Sequence, residues 1–302
     1  MHLSWSVNHE DHGQRAVDVL IRRTGMSRSM AKKIRLYGRL TCNGRDHRMI
    51  DPVYTGDQLV ATYQANPDMR STLHPDHSLD ICYIDNWLLV VNKPAGMVTH
   101  PTYLHDQGSL TGLLADFPLH PVNRLDRDTS GLVLIARNGH AHYVISRNPM
   151  RKIYVGLVHG QTDDCGIIDA PIRRADGTII LREVHDEGAH AQTRWKRLHY
   201  FPYSDISFLK FELLTGRTHQ IRVHCQHAGF PLIGDGLYGR PPLQGLSSPA
   251  SFDPDKIIGR QALHAASLTF HHPISHKEIT VTAKLPADFR RLMTCLFQFR
   301  PN

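Results

Sequence analysis

Apolar positions along the first sixty residues recur at the spacing of helices that bury one face. Val17, Leu20 and Ile21 mark one such helix. Ser27 as N-cap, Met30 and Ile34 on one face and Gly38 as a stop mark a second. The pattern then switches at Leu40-Thr-Cys-Asn-Gly-Arg45 to a strand entering a hairpin turn, since Asn-Gly readily takes two successive left-handed conformations. Residues 14–60 therefore read as the core of a compact N-terminal unit spanning 1–63. From Gln64 to His77 prolines and scattered polar residues replace the periodicity, so 64–78 is expected to be a linker.

A larger unit, 79–302, begins near Leu79. Leu88–Val91 and Leu132–Ala136 are unbroken apolar runs that read as buried strands. Ile153–Val158 and Phe208–Leu214 alternate in part and predict further strands, while His140–Ser146 and Thr218–Ala228 predict helices. Arg240–Asp255, rich in Pro, Ser and Gly, reads as an exposed insertion. No internal repeat is visible.

Composition narrows the partners. With 302 residues, 41% of them hydrophobic, the chain can bury a substantial core. Its net charge of +7, before any of its 22 histidines is protonated, suits a polyanionic partner such as nucleic acid and equally a merely basic surface. The charge is concentrated. Between Ser27 and Arg48 lie Arg28, Lys32, Lys33, Arg35, Arg39, Arg45 and Arg48 against one acid, Asp46. A solvated helix face would interleave Glu and Asp; this one can track a phosphate backbone through Arg28, Lys32, Lys33, Arg35 and Arg39. Five well-separated cysteines without a C-x-x-C pair read as reduced thiols of a cytoplasmic protein. No signal peptide or membrane-length apolar run is present, so no membrane partner is expected.

The candidate chemistry lies in a dense polar loop, His120-Pro-Val-Asn-Arg-Leu-Asp-Arg-Asp-Thr-Ser-Gly131, which runs straight into the apolar strand at Leu132. Carboxylates placed against a core are costly unless paired, which makes Asp126 and Asp128 candidates for a functional role. Asp126-Arg-Asp128-Thr129 also fits the Asp-x-Asp-x-Thr pattern of haloacid-dehalogenase-like phosphatases. That motif follows a long apolar strand, whereas here the strand comes afterwards, and Asp235 stands without an acidic neighbour to share a metal. His219, His224, His227 and Cys225 do not converge as a zinc site requires. Lys93-Pro-Ala-Gly96 lacks P-loop spacing and reads as a tight turn.

Four further clusters accompany the loop: Asn92-Lys-Pro-Ala-Gly-Met-Val-Thr-His-Pro101, Lys152-Ile-Tyr154, Thr215-Gly-Arg-Thr-His-Gln-Ile-Arg-Val-His224, and Leu263-His-Ala265 with Phe270-His-His-Pro273. Gly234-Asp-x-x-Tyr238-Gly falls between the last two. In this order they resemble the RluA family of RNA pseudouridine synthases, and the N-terminal unit resembles the S4 RNA-binding domain. One departure is Asn123, where many members carry His. The resemblance implies an α+β fold, with a mixed, largely antiparallel sheet flanked by helices behind a small S4-like α/β unit.

It also implies roles. Asp126 would be the nucleophile or base, acting at the sugar or the base of uridine. Arg222 would be its ion-pair partner and Tyr154 the ring on which the extruded uracil stacks, its hydroxyl assisting proton removal from C5. Leu263 would supply an apolar wall, Arg124 and Arg217 would hold the loop or phosphates, and Lys152 and His219 would lie at the substrate. From the residues themselves, Asp128 is expected to cap or brace the loop by accepting backbone N–H groups. The isomerisation is redox-neutral, so no metal or organic cofactor is called for. Ribosomal RNA is the expected substrate, with transfer RNA as the alternative, and the protein is expected to be monomeric. The rival from another class is an inactive synthase domain serving RNA assembly, against which the intact Asp126, Tyr154 and Arg222 argue.

Overall fold

The computed structural model describes residues 2–63, 79–100, 108–115, 119–240 and 252–300. The first block contains β1 (His2–Ser6), α1 (Ala16–Thr24), α2 (Arg28–Tyr37), β2 (Arg39–Cys42), β3 (Arg45–Asp46) and β4 (Gln58–Thr62). The strands form a four-stranded antiparallel sheet in the order β1-β4-β2-β3. Val19, Leu20, Met30 and Ile34 of the two helices meet Leu40, Leu59 and Ala61 of the sheet in one core. The Ser27 hydroxyl accepts the Met30 N–H (3.1 Å), as its N-cap position predicts. Asn43 and Gly44 take φ of 51° and 80° at the hairpin turn.

The rest of the chain adds, in order, β5 (Asp80–Ile84), β6 (Leu88–Lys93), α3 (Leu110–Leu114), β7 (His120–Pro121), β8 (Ser130–Ala136), α4 (Gly139–Ile145), β9 (Arg151–His159), β10 (Cys165–Asp169), β11 (Ile172–Arg174), β12 (Arg182–Val184), β13 (Gln192–Phe201), β14 (Ile206–Leu213), α5 (Gln220–His227), α6 (Pro254–Ile258), β15 (Leu263–His271), β16 (Glu278–Thr282) and α7 (Ala287–Gln298). A ten-stranded sheet runs β10-β13-β14-β9-β15-β8-β6-β5, with β16 beside β15 and β7 beside β8. Its pairings are antiparallel except β15 with β8, which makes it the mixed, largely antiparallel sheet of the expected α+β fold.

The unbroken apolar runs are explained by burial on both faces. Leu89, Val91, Val133 and Ile135 point into the core beneath α3 and α5, while Leu88, Val90, Leu132 and Leu134 point into a second core with Ala141 and Ile145 of α4. A third core joins Leu157 and Ile206 to Phe289 and Leu292 of α7. The N-terminal unit lies against this framework through α2 and α4, with Gly25 close to Val144.

Two expectations are corrected. The helix expected from Thr218 starts at Gln220, with His219 outside it at φ 57°. The side chain of Gln220 occupies the groups a first helical turn would satisfy: Oε1 accepts from Thr215 Oγ1 (2.8 Å) and from the Arg217 N–H (2.9 Å). Within 240–255, Asp253 accepts the Lys256 N–H and Pro254 opens α6, so the end of the expected insertion is a capped helix. Residues 241–251, the expected linker at 64–78, and Pro101 of the Asn92 cluster lie outside the described residues.

Candidate active site

The polar loop rises from the middle of the sheet and is held from beneath at almost every residue. β7 ends after two pairs with β8, and the side chain of Asn123 continues the ladder: Oδ1 accepts the Leu134 N–H (2.7 Å) and Nδ2 donates to the Leu132 carbonyl (3.1 Å). Asparagine thus serves the loop by hydrogen bonding. Thr99 Oγ1 donates to the Leu125 carbonyl and accepts its N–H (3.2 and 3.3 Å). The Thr129 N–H closes a turn onto the Asp126 carbonyl (3.1 Å). Gly131 ends the loop at φ 115°, where a Cβ would stand 2.3 Å from the Ala265 carbonyl oxygen, so only glycine lets β8 and β15 approach.

Two buried cations complete the support. Lys93, fully buried, donates to the carbonyls of Pro94 (2.9 Å), Met97 (2.7 Å) and Arg127 (2.9 Å), one acceptor for each ammonium proton. Burial pulls its pKa down to about 7, against the opposing fields of Asp128 and Asp126. Arg260 donates to the carbonyls of Asp128 (3.0 Å) and Gln261 (3.1 Å) and is itself fixed by Asp288 (2.6 Å). The expected brace role of Asp128 is corrected here. Its carboxylate pairs with the adjacent Arg127 side chain (3.1 Å), within easy reach at the partly exposed tip, and it is the Asp128 carbonyl that is held.

Asp126 lines a cavity of about 620 Å³ formed by the loop, the start of β9, the segment from Gly216 to Arg222, Arg182 and Leu263. Its carboxylate accepts from Arg222 Nη1 at 3.2 Å, as the expected ion pair requires. The opposite edge of the guanidinium is locked by Asp235, with Nε and Nη2 each donating at 2.7 Å. Asp235 Oδ1 also accepts the N–H groups of Leu237 and Tyr238 (3.0 Å each). Burial opposes the charge on Arg222, yet Asp235 and then Asp126 outweigh it and hold the guanidinium above its ordinary pKa. The Tyr238 ring lies against the same guanidinium, 5.0 Å from its carbon. His219 spans the group, with Nδ1 2.8 Å from the Tyr238 hydroxyl and Nε2 3.8 Å from Asp126.

Tyr154 is buried, paired in register with Phe211 of β14 and Ala265 of β15, and lines the cavity with Leu263. Burial, with the Asp126 charge alongside, pushes its hydroxyl pKa up. Lys152, two residues earlier on β9, points to the same side, and its pKa is lowered by burial. A Cβ on Gly216 would come within 3.3 Å of Lys152 Nζ, so this glycine leaves space for the lysine. Arg124 and Arg217 are exposed at the rim, Arg217 held by the His190 carbonyl (2.9 Å). The cavity therefore brings together Asp126, Tyr154, Arg222, Arg124, Arg217, His219, Leu263 and Lys152. The basic residues of α2 belong to the other unit, and Arg39 is paired with Asp46 on β3 (2.5 Å).

Four residues of this constellation escape a reading of the sequence: Lys93, Asp235, Arg260 and Arg182. Gly234-Asp235 is a visible signal, but nothing local shows that its carboxylate turns back to Arg222. His224 is engaged by Thr193 Oγ1 (2.8 Å) and the Ala170 carbonyl (2.9 Å). No metal-binding group of His, Cys, Asp or Glu is found among the described residues.

Comparison with known proteins gives the family and the fold. The profile of the RNA pseudouridylate synthase family matches residues 87–227. Ribosomal large subunit pseudouridine synthase D of Buchnera aphidicola is 33% identical over 285 residues, 88% of this chain and 89% of that protein. Its namesake from Pseudomonas aeruginosa is 37% identical, over 87% of this chain and 85% of its own. The structure of human RNA pseudouridylate synthase domain containing 4 shares the fold, with a TM-score of 0.56 at 23% identity over 74% of this chain and 95% of that one. With relatives so similar over nearly their whole length, the chain belongs to the RluA family of RNA pseudouridine synthases, isomerases that convert uridine in RNA to pseudouridine.

Proposed function

We propose that this protein isomerises specific uridines of structured large-subunit ribosomal RNA, with Asp126 as the reacting carboxylate. The observation that carries the reading is the Asp126–Arg222 pair at 3.2 Å in a cavity that Tyr154 also lines. The ribosomal target is supported by the Buchnera and Pseudomonas relatives, both named as large-subunit synthases.

The reaction breaks the bond between C1′ and N1, turns the uracil and joins C1′ to C5. C5 loses a proton and N1 gains one, so no redox partner enters. Asp126 attacks the sugar or the base as a carboxylate aligned by Arg222, which is itself kept in place by Asp235. Tyr154 offers its ring to the extruded base, a stacking worth ~1–3 kcal/mol. Burial and the Asp126 charge keep its hydroxyl protonated, and the phenol oxygen assists removal of the C5 proton after C1′ has rejoined. Leu263 walls the pocket, Arg124 and Arg217 meet phosphates at the rim, and Lys152 and His219 face the nucleotide. The S4-like unit, residues 1–63, adds backbone contacts through Arg28, Lys32, Lys33, Arg35 and Arg39. The protein works as a monomer in the cytoplasm; among the described residues no helix is long and apolar enough to cross a membrane.

The test is release of tritium from C5 of uracil in labelled ribosomal RNA. Asp126→Asn keeps shape and hydrogen bonding but removes the nucleophile, so release is expected to fall to background. Pseudouridine formed by that variant at the wild-type rate would overturn the assignment.

A further inference from the structure

The hairpin of β11 and β12 stands apart from both large sheets and runs from the cavity wall to a tip carrying two adjacent isoleucines. Ile179 is 76% exposed and Ile180 55% exposed. Scattered apolar residues on a surface are ordinary, but neighbouring β-branched residues at one tip form a patch that calls for a partner. The next residue, Leu181, does the opposite and packs inward with Tyr238 and Val184.

The tip is built rigidly. Thr178 Oγ1 accepts the N–H groups of both Ile180 (3.1 Å) and Leu181 (3.3 Å), and the Ala175 N–H donates to the Leu181 carbonyl (3.1 Å). Its root is tied to the reaction centre: the Arg182 N–H donates to the Tyr238 hydroxyl (2.8 Å), which contacts His219 at 2.8 Å, and Arg182 lines the cavity. Three residues of extended chain reach no more than ~11 Å. Ile179 therefore stands within about three nucleotide steps of the cavity, at ~3.4 Å per stacked nucleotide. Charge does not dominate this hairpin, because Arg173 gathers Asp176, Glu183 and Glu187. The tip offers apolar surface.

Extruding a base leaves a gap in its stack, and proteins that deform nucleic acids fill such gaps with apolar side chains, isoleucine among them. We propose that Ile179 and Ile180 form a wedge that enters the RNA base stack beside the target uridine and holds open the gap left when that base turns into the cavity. This rests on the function proposed above.

The test uses the full chain and an unmodified transcript of large-subunit ribosomal RNA tritiated at uracil C5. Single-turnover rates are measured with enzyme in excess, and affinity for the same transcript by filter binding. Both residues are exposed, so Ile179→Ala with Ile180→Ala is expected to fold, which circular dichroism checks. The alanine pair should slow the single-turnover step about tenfold or more with Kd changed less than about threefold, while Ile179→Leu with Ile180→Leu stays within about threefold of wild type. An alanine pair as fast as wild type on this naked RNA would mark the tip as a contact for protein and overturn the wedge. A loss confined to Kd would overturn it as well. Wild-type protein that releases no tritium would instead overturn the functional reading beneath it.

Discussion

Replacing Asp235 with Asn removes one charge from the most enclosed part of the site. The carboxylate, with no exposed side-chain surface, holds Arg222 through two 2.7 Å bonds and accepts two main-chain N–H groups at 3.0 Å. An amide oxygen in the Oδ1 position keeps both main-chain bonds. Its NH₂ then faces the Nε–H of Arg222, donor against donor, and the guanidinium is left buried with Asp126 as its anion. Removing one partner of a buried pair costs about 3–5 kcal/mol. At about 2–4 °C per kcal/mol for a domain of this size, Tm should fall by roughly 10 °C. Trp195 in the central core reports the melt by fluorescence. The companion variant Asp235→Leu with Arg222→Met replaces the pair by apolar groups and should recover most of the lost Tm, because the stranded charge is gone. Both variants should turn over far more slowly than wild type, since Arg222 loses its alignment in the single variant and is absent from the double one. An Asp235→Asn protein that melts within about 2 °C of wild type would refute the reasoning, as would a double variant less stable than the single one.

Asn123→Ala leaves the Leu134 N–H and the Leu132 carbonyl without partners inside β8, at about 1–3 kcal/mol for each orphaned group. The urea midpoint should drop with the m-value unchanged. Burial, with Arg260 nearby, pulls the pKa of His264 from 6.5 to about 4. Between those values the unfolded chain binds a proton that the folded chain does not, so stability falls as pH drops from 6.5 to about 4, by roughly 3 kcal/mol in all. Urea midpoints measured across that range should show the slope, and His264→Asn should reduce it, leaving the part due to His120, His140, His219 and His224, whose pKa values burial also lowers. Exchanging Lys32, Lys33 and Arg35 for Gln should weaken RNA binding and reduce the slope of log Kd against log salt by roughly 2–3; an unchanged slope would take α2 out of the RNA contact.

The central strands were legible because burial on both faces leaves an apolar run without alternation, as in Leu132–Ala136. Asp126 was legible as a carboxylate placed against a core. Its partner 96 residues away came from motif resemblance rather than from any local signal. Lys93 shows what a local reading misses: a lysine after an apolar strand reads as part of a tight turn, and the turn does supply the Pro94 and Met97 carbonyls, while the Arg127 carbonyl that completes the set arrives only once the loop is folded. Asp128 was misplaced because two ways of satisfying a carboxylate compete locally, and the neighbouring guanidinium prevailed over main-chain N–H groups. The late start of α5 follows from Gln220 spending its amide on the preceding turn and on Gln192. For α6 the signal was present, Asp253-Pro254, but it sat inside a stretch whose composition suggested irregular chain.

The approach of Gly131 to Ala265 carries a consequence for how the enzyme comes into being. β15 is the strand that joins the two halves of the large sheet, and it meets β8 only at His264 with Ser130 and Ala265 with Gly131. Contacts of such long sequence separation close late, after the loop entropy between them has been overcome. A growing chain can assemble the early hairpins before β15 exists, yet the strand beside Asp126 then lacks its neighbour and Leu263 is absent from the wall. Catalytic competence is therefore withheld during synthesis until β15, Leu263–His271 of 302 residues, has been made. An incomplete copy of this modifying enzyme would be unable to mark RNA.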